Sequence, residues 1–496
     1  MRQGPLAGRY PASAAMVIFA LVPYLGLSAA LQPLTPIIGR QLHMSMQTMS
    51  LGLGLANAAY AVGTVLAVQL AQVLPQRRMM VLYAALLVIG SVLGASAQNP
   101  TMFIIGHVLQ GLCTSLLLIA AVPPLAIGFG LPKIRATAMI MNVCIFGAVA
   151  VGPTIGGIQA SAHGWRPLFW VIAAISLAAL VLSLLTFEDA PPADPDAPRD
   201  PLALGLAAAG CVAAFYGASQ LLTHRFLEAQ TFAPLAGGLA LILALIINQY
   251  GSKQPLLTIR SMLTSTVPVA GIVVALTAAA ASVTATDLTA TALAPHYTPL
   301  HLGLLFLPEL GGALLTAVAL GVVLKRRQLQ YLPMVGMAFL AAGIAVLRIQ
   351  VPPTQALTLL GSGLTGIGLG AAVAPALFVA GFSLPAASLQ RVFAIVELLR
   401  AVAAFLVAPV FAHFAATVGG NPRTGTGIVL WIGLGIAISG ALAAVLLYAL
   451  GGARPQTPDL ERFMSGEGAA WYSPPLLAAV REHPHQRPLA EEAARP

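Results

Sequence analysis

Gly152-Pro153-Thr154-Ile155-Gly156-Gly157 interrupts an otherwise apolar run, and the reading of these six residues decides what kind of helical bundle the chain builds. A buried helix can be made from almost any apolar residue, so a Gly-Pro followed at helical spacing by Gly-Gly needs a reason. Proline removes a backbone donor and bends the helix, while the glycines leave one face bare for a neighbouring helix to approach closely. The pair of effects describes a bend and a sliding contact, as a bundle whose helices move against each other requires. The plainer alternative is a proline kink with small packing residues.

The composition places that run in a membrane. Charged residues make up 8% of the chain and hydrophobic ones 58%, with a mean hydropathy of +0.89, against roughly 25% charged in soluble domains. Apolar stretches lie near 14–37, 48–73, 79–98, 101–128, 137–159, 168–187, 202–222, 231–250, 267–293, 299–324, 331–350, 355–384, 391–416 and 426–450. Each is long enough for a hydrocarbon core of about 30 Å, so fourteen spans are expected. The first has no small-residue cleavage site and reads as a retained span. With the N-terminus inside, Arg2, Arg9, Arg77, Arg78, Lys133, Arg135, Arg199, Lys253, Arg260, Lys325, Arg326, Arg327 and Arg391 fall in inner loops, and only Arg40, Arg166, Arg225, Arg348 and Arg423 in outer ones. This positive-inside bias predicts both termini in the cytoplasm. It accounts for the formal charge of +9 without any nucleic-acid partner. Cys113, Cys144 and Cys211 sit inside spans, so neither a disulfide framework nor a metal cluster is expected.

The loops are short except for Phe187–Pro201, which is acidic and proline-rich and reads as a cytoplasmic linker. From Gly451 onward the chain mixes Arg, Glu and Pro and is expected to be poorly ordered, apart from a surface helix near Pro475–Glu482. An internal echo relates Gln76-Arg77-Arg78, between spans two and three, to Lys325-Arg326-Arg327, between spans ten and eleven. The expected divisions are then a six-helix half at 1–187, the linker at 188–201, two inserted helices at 202–250, a second six-helix half at 251–450 and a tail at 451–496. Two six-helix halves with the binding site between them near the midplane is a transporter arrangement.

Four short motifs, in order along these spans, carry a family resemblance. They are Leu109-Gln110-Gly111 in span four, Gly152-Pro153-x-x-Gly156-Gly157 in span five, His163-Gly164-Trp165-Arg166-Pro167-Leu168-Phe169 entering span six, and Gln254-Pro255-Leu256-Leu257 with Ile259-Arg260 before span nine. Over roughly residues 14–450 the chain resembles the fourteen-spanner drug:H⁺ antiporter branch of the major facilitator superfamily. The resemblance implies an all-α membrane protein of that fold, two six-helix bundles plus two inserted helices, and makes Gly152, Pro153, Gly156 and Gly157 the antiporter-motif hinge. The chain departs from the family pattern in three places. The stretch Leu27 to Pro36 of span one has no acid and offers only Gln32; Gln72 and Pro75 replace an Asp and a Gly after span two; and His107 replaces the usual Arg of span four. Proton handling is therefore expected across the interface, in spans nine to thirteen.

A charged side chain at the bilayer centre is expensive, so the few present are functional candidates by default. Asp287 lies in the outer half of span nine among Thr284, Thr286 and Thr289, where the plain reading is an acid solvated by an outer vestibule. Glu309 is about ten residues into span ten, roughly 15 Å deep, and reads either as a functional acid or as a structural partner for an Arg or His. Glu397 and Arg400 are three apart on span thirteen and share a face, as a static ion pair or as a switchable one. His107 titrates near neutrality unperturbed and is either a packing histidine or a proton carrier. Asp287, Glu309, Glu397 and His107 are thus the proton-coupling candidates, and Arg400 the candidate for an anionic substrate group. Gln32, Asn57, Gln110, Asn142 and Phe306 are candidate substrate contacts, each equally readable as helix packing, with Gln220, Tyr60 and Phe146 behind them.

The leading expectation is a secondary exporter of small amphipathic compounds, drugs or metabolites, in exchange for protons, with no cofactor and as a monomer in a bacterial inner membrane. A proton-independent facilitator or importer of an organic solute is the alternative, and a non-transporting membrane sensor a remote one. No GxSxG, HExxH or GxxxxGK[ST] motif is present to mark an intramembrane enzyme or an ATP-driven pump.

Overall fold

Helices start where a polar acceptor or a proline precedes an apolar run, because the first turn has four N–H groups without helical partners. The computed structural model describes residues 4–187 and 199–481. It begins with α1 (Tyr10–Gln41), α2 (Met46–Val73), α3 (Gln76–Ala95) and α4 (Pro100–Ile127). Ser45 caps α2 by accepting from the Thr48 N–H, and Asn99 caps α4 by accepting from that of Met102. Then α5 (Leu131–Asn142) passes through a π-helical turn, Val143–Gly147, into α6 (Ala148–Ser161), followed by α7 (Arg166–Thr186). Next come α8 (Pro201–Ser219), α9 (Ala229–Gly251), the short α10 (Ile259–Leu263) and α11 (Thr266–Leu293). Helix α12 (Pro299–Leu305) breaks before α13 (Pro308–Val323), and α14 (Leu332–Arg348), α15 (Gln355–Phe382), α16 (Leu389–Thr417) and α17 (Pro422–Gly451) complete the bundle. Two short helices, α18 (Leu460–Met464) and α19 (Ala478–Arg481), lie in the tail.

Among the described residues, 13 helices, counting α5–α6 and α12–α13 as one each, are long and apolar enough to cross a membrane. Helix α14 is apolar and 17 residues long, about 26 Å at 1.5 Å per residue, which makes the fourteenth. Leu6 donates to the Leu185 carbonyl at the end of α7, and Thr266 at the start of α11 donates to Pro474 of the tail. Both described chain ends therefore lie at one end of the bundle, called here the terminal end, with the α1–α2 and α3–α4 connections at the far end.

Helices α1 to α7 pack on one another, as do α11 to α17, and α8 lies along α2 with α9 outside it. The two groups meet where α2 crosses α16, α6 meets α12 and α5 meets α13. Outward faces stay apolar and exposed, as with Leu243 and Ile247 on α9 and Leu442, Val445 and Leu446 on α17, which is the surface a lipid solvent accepts.

The structure corrects the sequence reading in three places. Span five keeps its helix through Pro153, and its irregularity is the π turn ten to six residues earlier, where the Ala148 N–H reaches back to Val143. Span ten is two helices. Pro308 has no N–H to give back to Leu304, so the chain restarts with proline at a first helical position, where it is tolerated. The tail is ordered through its described part, because Phe463 and Trp471 are buried on the bundle. Its terminal helix is a single turn at Ala478–Arg481; Glu482 and most of the linker expected at 188–201 lie outside the described residues.

Helix α6 is packed at backbone distance on two neighbours at the far end. A Cβ on Gly152 would meet Ala29 and the Gly26 carbonyl of α1, one on Gly156 the Ala30 carbonyl and Pro33, and one on Gly157 the Pro299 carbonyl of α12. Gly156→Ala is expected to lower stability by about 1–3 kcal/mol through overpacking, read as thermal unfolding of the purified protein. Gly435→Ala on α17, where a Cβ meets nothing within 4 Å, is the control and should change it little.

Candidate functional site

Glu309 sits in the first turn of α13 because the break at Phe306–Leu307 puts Pro308 at the start of that helix. Its N–H bonds back to the Phe306 carbonyl at 3.0 Å, tightening the turn. Gly366 of α15 lies directly against the Glu309 backbone, which brings α13 close to α15. The Glu309 Oε1 accepts from Thr286 Oγ1 of α11 at 2.9 Å, and Thr365 Oγ1 of α15 lies 3.3 Å away, its one proton shared with the Ser362 carbonyl at 2.9 Å. Three helices thus converge on one carboxyl, and the positive end of the α13 dipole faces it. Among the described residues Glu309 makes no ion pair. It borders a cavity of about 20 Å³ lined by Phe146, Val149, Ala150, Ala313, Gly366 and Leu369, enough for about one water. The cavity lies between the two helix groups, with the π turn and α6 on one side and α13 and α15 on the other.

Asp287 follows Thr286 on α11 and is half-buried. Of the threonines around Asp287, Thr286 serves Glu309, Thr284 bonds back to the Ala280 carbonyl, and the Thr289 hydroxyl is buried without a partner. One to two turns along α13, Asn142 ends α5 at the π turn and donates Nδ2 to the Gly370 carbonyl of α15 at 3.2 Å. Its Oδ1 is buried without a partner, an arrangement that costs free energy unless something occupies it. Phe306 is fully buried at the α12–α13 break, and its carbonyl accepts the Glu309 N–H.

A second polar centre lies where α2 crosses α16. Arg400 donates through Nε at 2.9 Å and Nη2 at 2.7 Å to Glu397 Oε2, with the two residues 7% and 3% exposed. Tyr60 of α2 donates to the same carboxyl oxygen at 3.4 Å and accepts from Arg400 Nη2 at 3.5 Å, so the pair reaches across the interface. Tyr60 stacks on Tyr24, which donates to Asn57 Oδ1 at 2.9 Å and packs on the His107 ring. His107 lies between Tyr24 and Phe103 and bonds Gln110 through Nδ1 at 3.2 Å, and Gln110 continues to Ser91 at 3.1 Å. Asn57, His107 and Gln110 are therefore partnered inside the α1–α4 packing, as part of a polar chain that starts at the ion pair.

At the far end, Thr154 donates to the Gly303 carbonyl at 2.9 Å, and Gly303 in turn lies against the Pro153 carbonyl. The six-residue motif therefore closes α6 on α12 as well as on α1. The Trp165–Phe169 motif is a clasp: the indole donates to Gln41 at 2.8 Å, Arg166 covers the indole and donates to the Ala97 carbonyl at 2.7 Å, and Phe103 and Phe169 pack on Trp165. Gln32 is exposed on α1, apart from both polar centres. The sequence reading passed over Thr365, Thr286 as a partner of Glu309, and Tyr24. Ser362 and Thr365, three apart in a glycine-rich apolar helix, were the available signal for the first.

Residues 16–350 match the family model of the Major Facilitator Superfamily. A multidrug resistance protein B homolog of Mycobacterium tuberculosis is 27% identical over 305 residues, 58% of this chain and 54% of that protein. An uncharacterized MFS-type transporter of Bacillus subtilis, YubD, is 24% identical over 252 residues, 50% of this chain and 49% of its own. The multidrug resistance protein MdtL of Escherichia coli is 31% identical over 122 residues, 24% of this chain and 31% of its own. The chain spans about half the length, or less, of these curated relatives.

The ion pair carries a direct test. Glu397→Gln or Arg400→Met alone leaves its partner buried and uncompensated, and each is expected to cost about 3–5 kcal/mol. The double variant should recover much of that loss, and a double-mutant cycle on thermal or denaturant unfolding reads the coupling.

Proposed function

Because the chain belongs to the major facilitator superfamily, we propose that it is a secondary active exporter, moving small amphipathic compounds across the membrane in exchange for protons. The observation that carries the proton half of this reading is Glu309: a carboxyl without an ion-pair partner among the described residues, held by two threonine hydroxyls beside a small cavity between the helix groups. Such a group can take a proton from one side and release it to the other as the groups part alternately. Asp287 is its neighbour on the same route. The Glu397–Arg400 pair, locked by Tyr60, serves as the fixed electrostatic link between α16 and α2. The export half takes its support from the relatives named as multidrug resistance proteins.

The divisions follow: halves at 1–187 and 251–450, a linker at 188–201, an inserted pair at 202–250 and a tail at 451–496. The Lys and Arg residues concentrated at the terminal end support a cytoplasmic location for both termini, in a bacterial inner membrane. The protein would act as a monomer, opening the α6–α12 seam outward and the α5–α13 contact inward. One proton moving down a pH difference of one unit and 100 mV supplies about 3.7 kcal/mol, enough to hold a substrate gradient of roughly 500-fold. One titrating carboxyl is therefore sufficient.

In vesicles of reconstituted protein, Glu309→Gln should reduce pH-gradient-driven efflux by at least about tenfold while leaving substrate exchange without a gradient. Asp287→Asn should have a smaller effect, and Thr286→Val with Thr365→Val an intermediate one. Gradient-driven efflux that survives Glu309→Gln would remove the assignment. Flux of the unaltered chain that ignores the gradient would leave a facilitator.

A further inference from the structure

Beyond Gly452 the chain turns back beneath the terminal end and is held there at every stage. The Ala470 N–H donates to the Phe382 carbonyl at 2.8 Å, and the Trp471 indole N–H to Ser383 Oγ at 2.8 Å, both where α15 ends. Phe463 and Trp471 pack edge-on against Phe382, with centroids 5.0 and 5.8 Å away. The next residues run along the start of α11. Thr266 donates from N to the Pro474 carbonyl at 2.9 Å and from Oγ1 to that of Pro475 at 3.1 Å, Val267 donates to Ser473 Oγ at 3.1 Å, and Leu476 donates to Thr264 at 2.9 Å. Within the segment, Asp459 donates to the Ala470 carbonyl at 2.7 Å, and Gln456 bonds both N and O of Tyr472, which closes a loop around α18.

The anchors named above lie at the start of α11, with Thr264 just before it, and at the end of α15, with Ser383 just after it. Helix α18, carried by the same loop, packs against α5 across the interface. Two other contacts close the terminal end across the same gap: Gln390 of α16 donates to the Ile119 carbonyl of α4 at 3.2 Å, and Met139 of α5 covers Gly321 of α13. We propose that residues 453–479 form a strap that latches the terminal end shut, anchored on α11 and α15 and bearing on α5 through α18. The proposal rests on the alternating-access reading above and adds a control element to it. When α5 swings away from α13, the α18–α5 contact breaks while the anchors hold, so the strap weights the equilibrium toward states closed at this end. A ligand can shift a two-state equilibrium only by its differential interaction with the two states, and a tethered segment obeys the same rule. The strap's bias is set by what it touches on α5, and releasing its anchors removes that bias.

The test uses the full chain in nanodiscs with Cys113, Cys144 and Cys211 replaced by alanine. A reporter at Met139→Cys marks the terminal end, and one at Thr154→Cys marks the far-end seam. Each is labelled with a hydrophilic maleimide. Ending the chain at Gly452, which removes the α18–α5 contact, should speed labelling at Met139→Cys by about two- to tenfold; Ser383→Ala, which loosens the anchor that holds α18 in place, should speed it by a smaller factor. Labelling at Thr154→Cys should hold constant or slow. Ser383→Ala keeps the test decisive if the shortened chain fails to fold. Unchanged labelling at Met139→Cys in the folded variants, with a pH gradient still shifting the two reporters oppositely in the intact chain, would overturn the strap alone. Equal acceleration at both ends would overturn the strap and the alternating-access reading together.

Discussion

Helix α6 is wedged between α1 and α12 at backbone distance, and much else in the molecule is arranged around that contact. Gly152 and Gly156 face α1 while Gly157 faces α12, so one turn and a half of helix holds two neighbours that belong to different helix groups. In a lipid solvent no hydrophobic force draws helices together, and close packing of small residues supplies the attraction instead. With α12 seated on α6, the chain breaks at Phe306–Leu307 ahead of Pro308, and that break delivers Glu309 to the interface. The π turn at Val143–Gly147 is the matching feature on the other side. Such turns leave the regular helical ladder locally unsettled and are frequent at functional sites.

The two polar centres answer the cost of burying charge in different ways. Glu397 has a guanidinium bonded through two nitrogens to one of its oxygens, and Tyr60 completes the cluster. A buried pair of this kind is stable as long as it stays intact and costly to break. Glu309 has hydroxyls and a helix terminus but no cation. Hydroxyls can accept as well as donate, so Thr286 and Thr365 are able to serve the carboxyl with or without its proton. The first centre pairs its charge with a cation, and the second meets its carboxyl with hydroxyls. The polar chain through Tyr60, Tyr24, His107 and Gln110 belongs with the first centre, because its groups are enclosed by aromatic rings and paired with one another.

Much of the fold was legible because each layer of it is written locally. Span limits read from hydropathy agree with the helices to within a few residues; 231–250 became Ala229–Gly251 and 391–416 became Leu389–Thr417. The Glu397–Arg400 pair was legible from its spacing alone, since residues three apart share a helix face. Glu309 stood out as an acid deep in an apolar run. Its partners did not, because Thr286 and Thr365 lie 23 and 56 residues away and look like ordinary small polar residues of a membrane helix. The tail was misread for a related reason. Its composition is that of a loop, and only the pocket beside Phe382 gives Phe463 and Trp471 somewhere to be buried.

What the sequence determined by itself was the solvent and the number of crossings: runs of some twenty apolar residues have one stable state in a bilayer, because each backbone group must be satisfied within its own helix. It also determined where charge would be exceptional. Which of those exceptional groups would be paired, and which left with hydroxyls alone, was decided by how fourteen helices lie against each other. Tyr60 could equally have faced lipid, and Thr286 could have served Asp287 beside it. Helix crossings, α2 on α16 for Tyr60 and α11 and α13 on α15 for Thr286, chose between these outcomes, because a side-chain hydrogen bond reaches about 3 Å while its sequence separation is unconstrained.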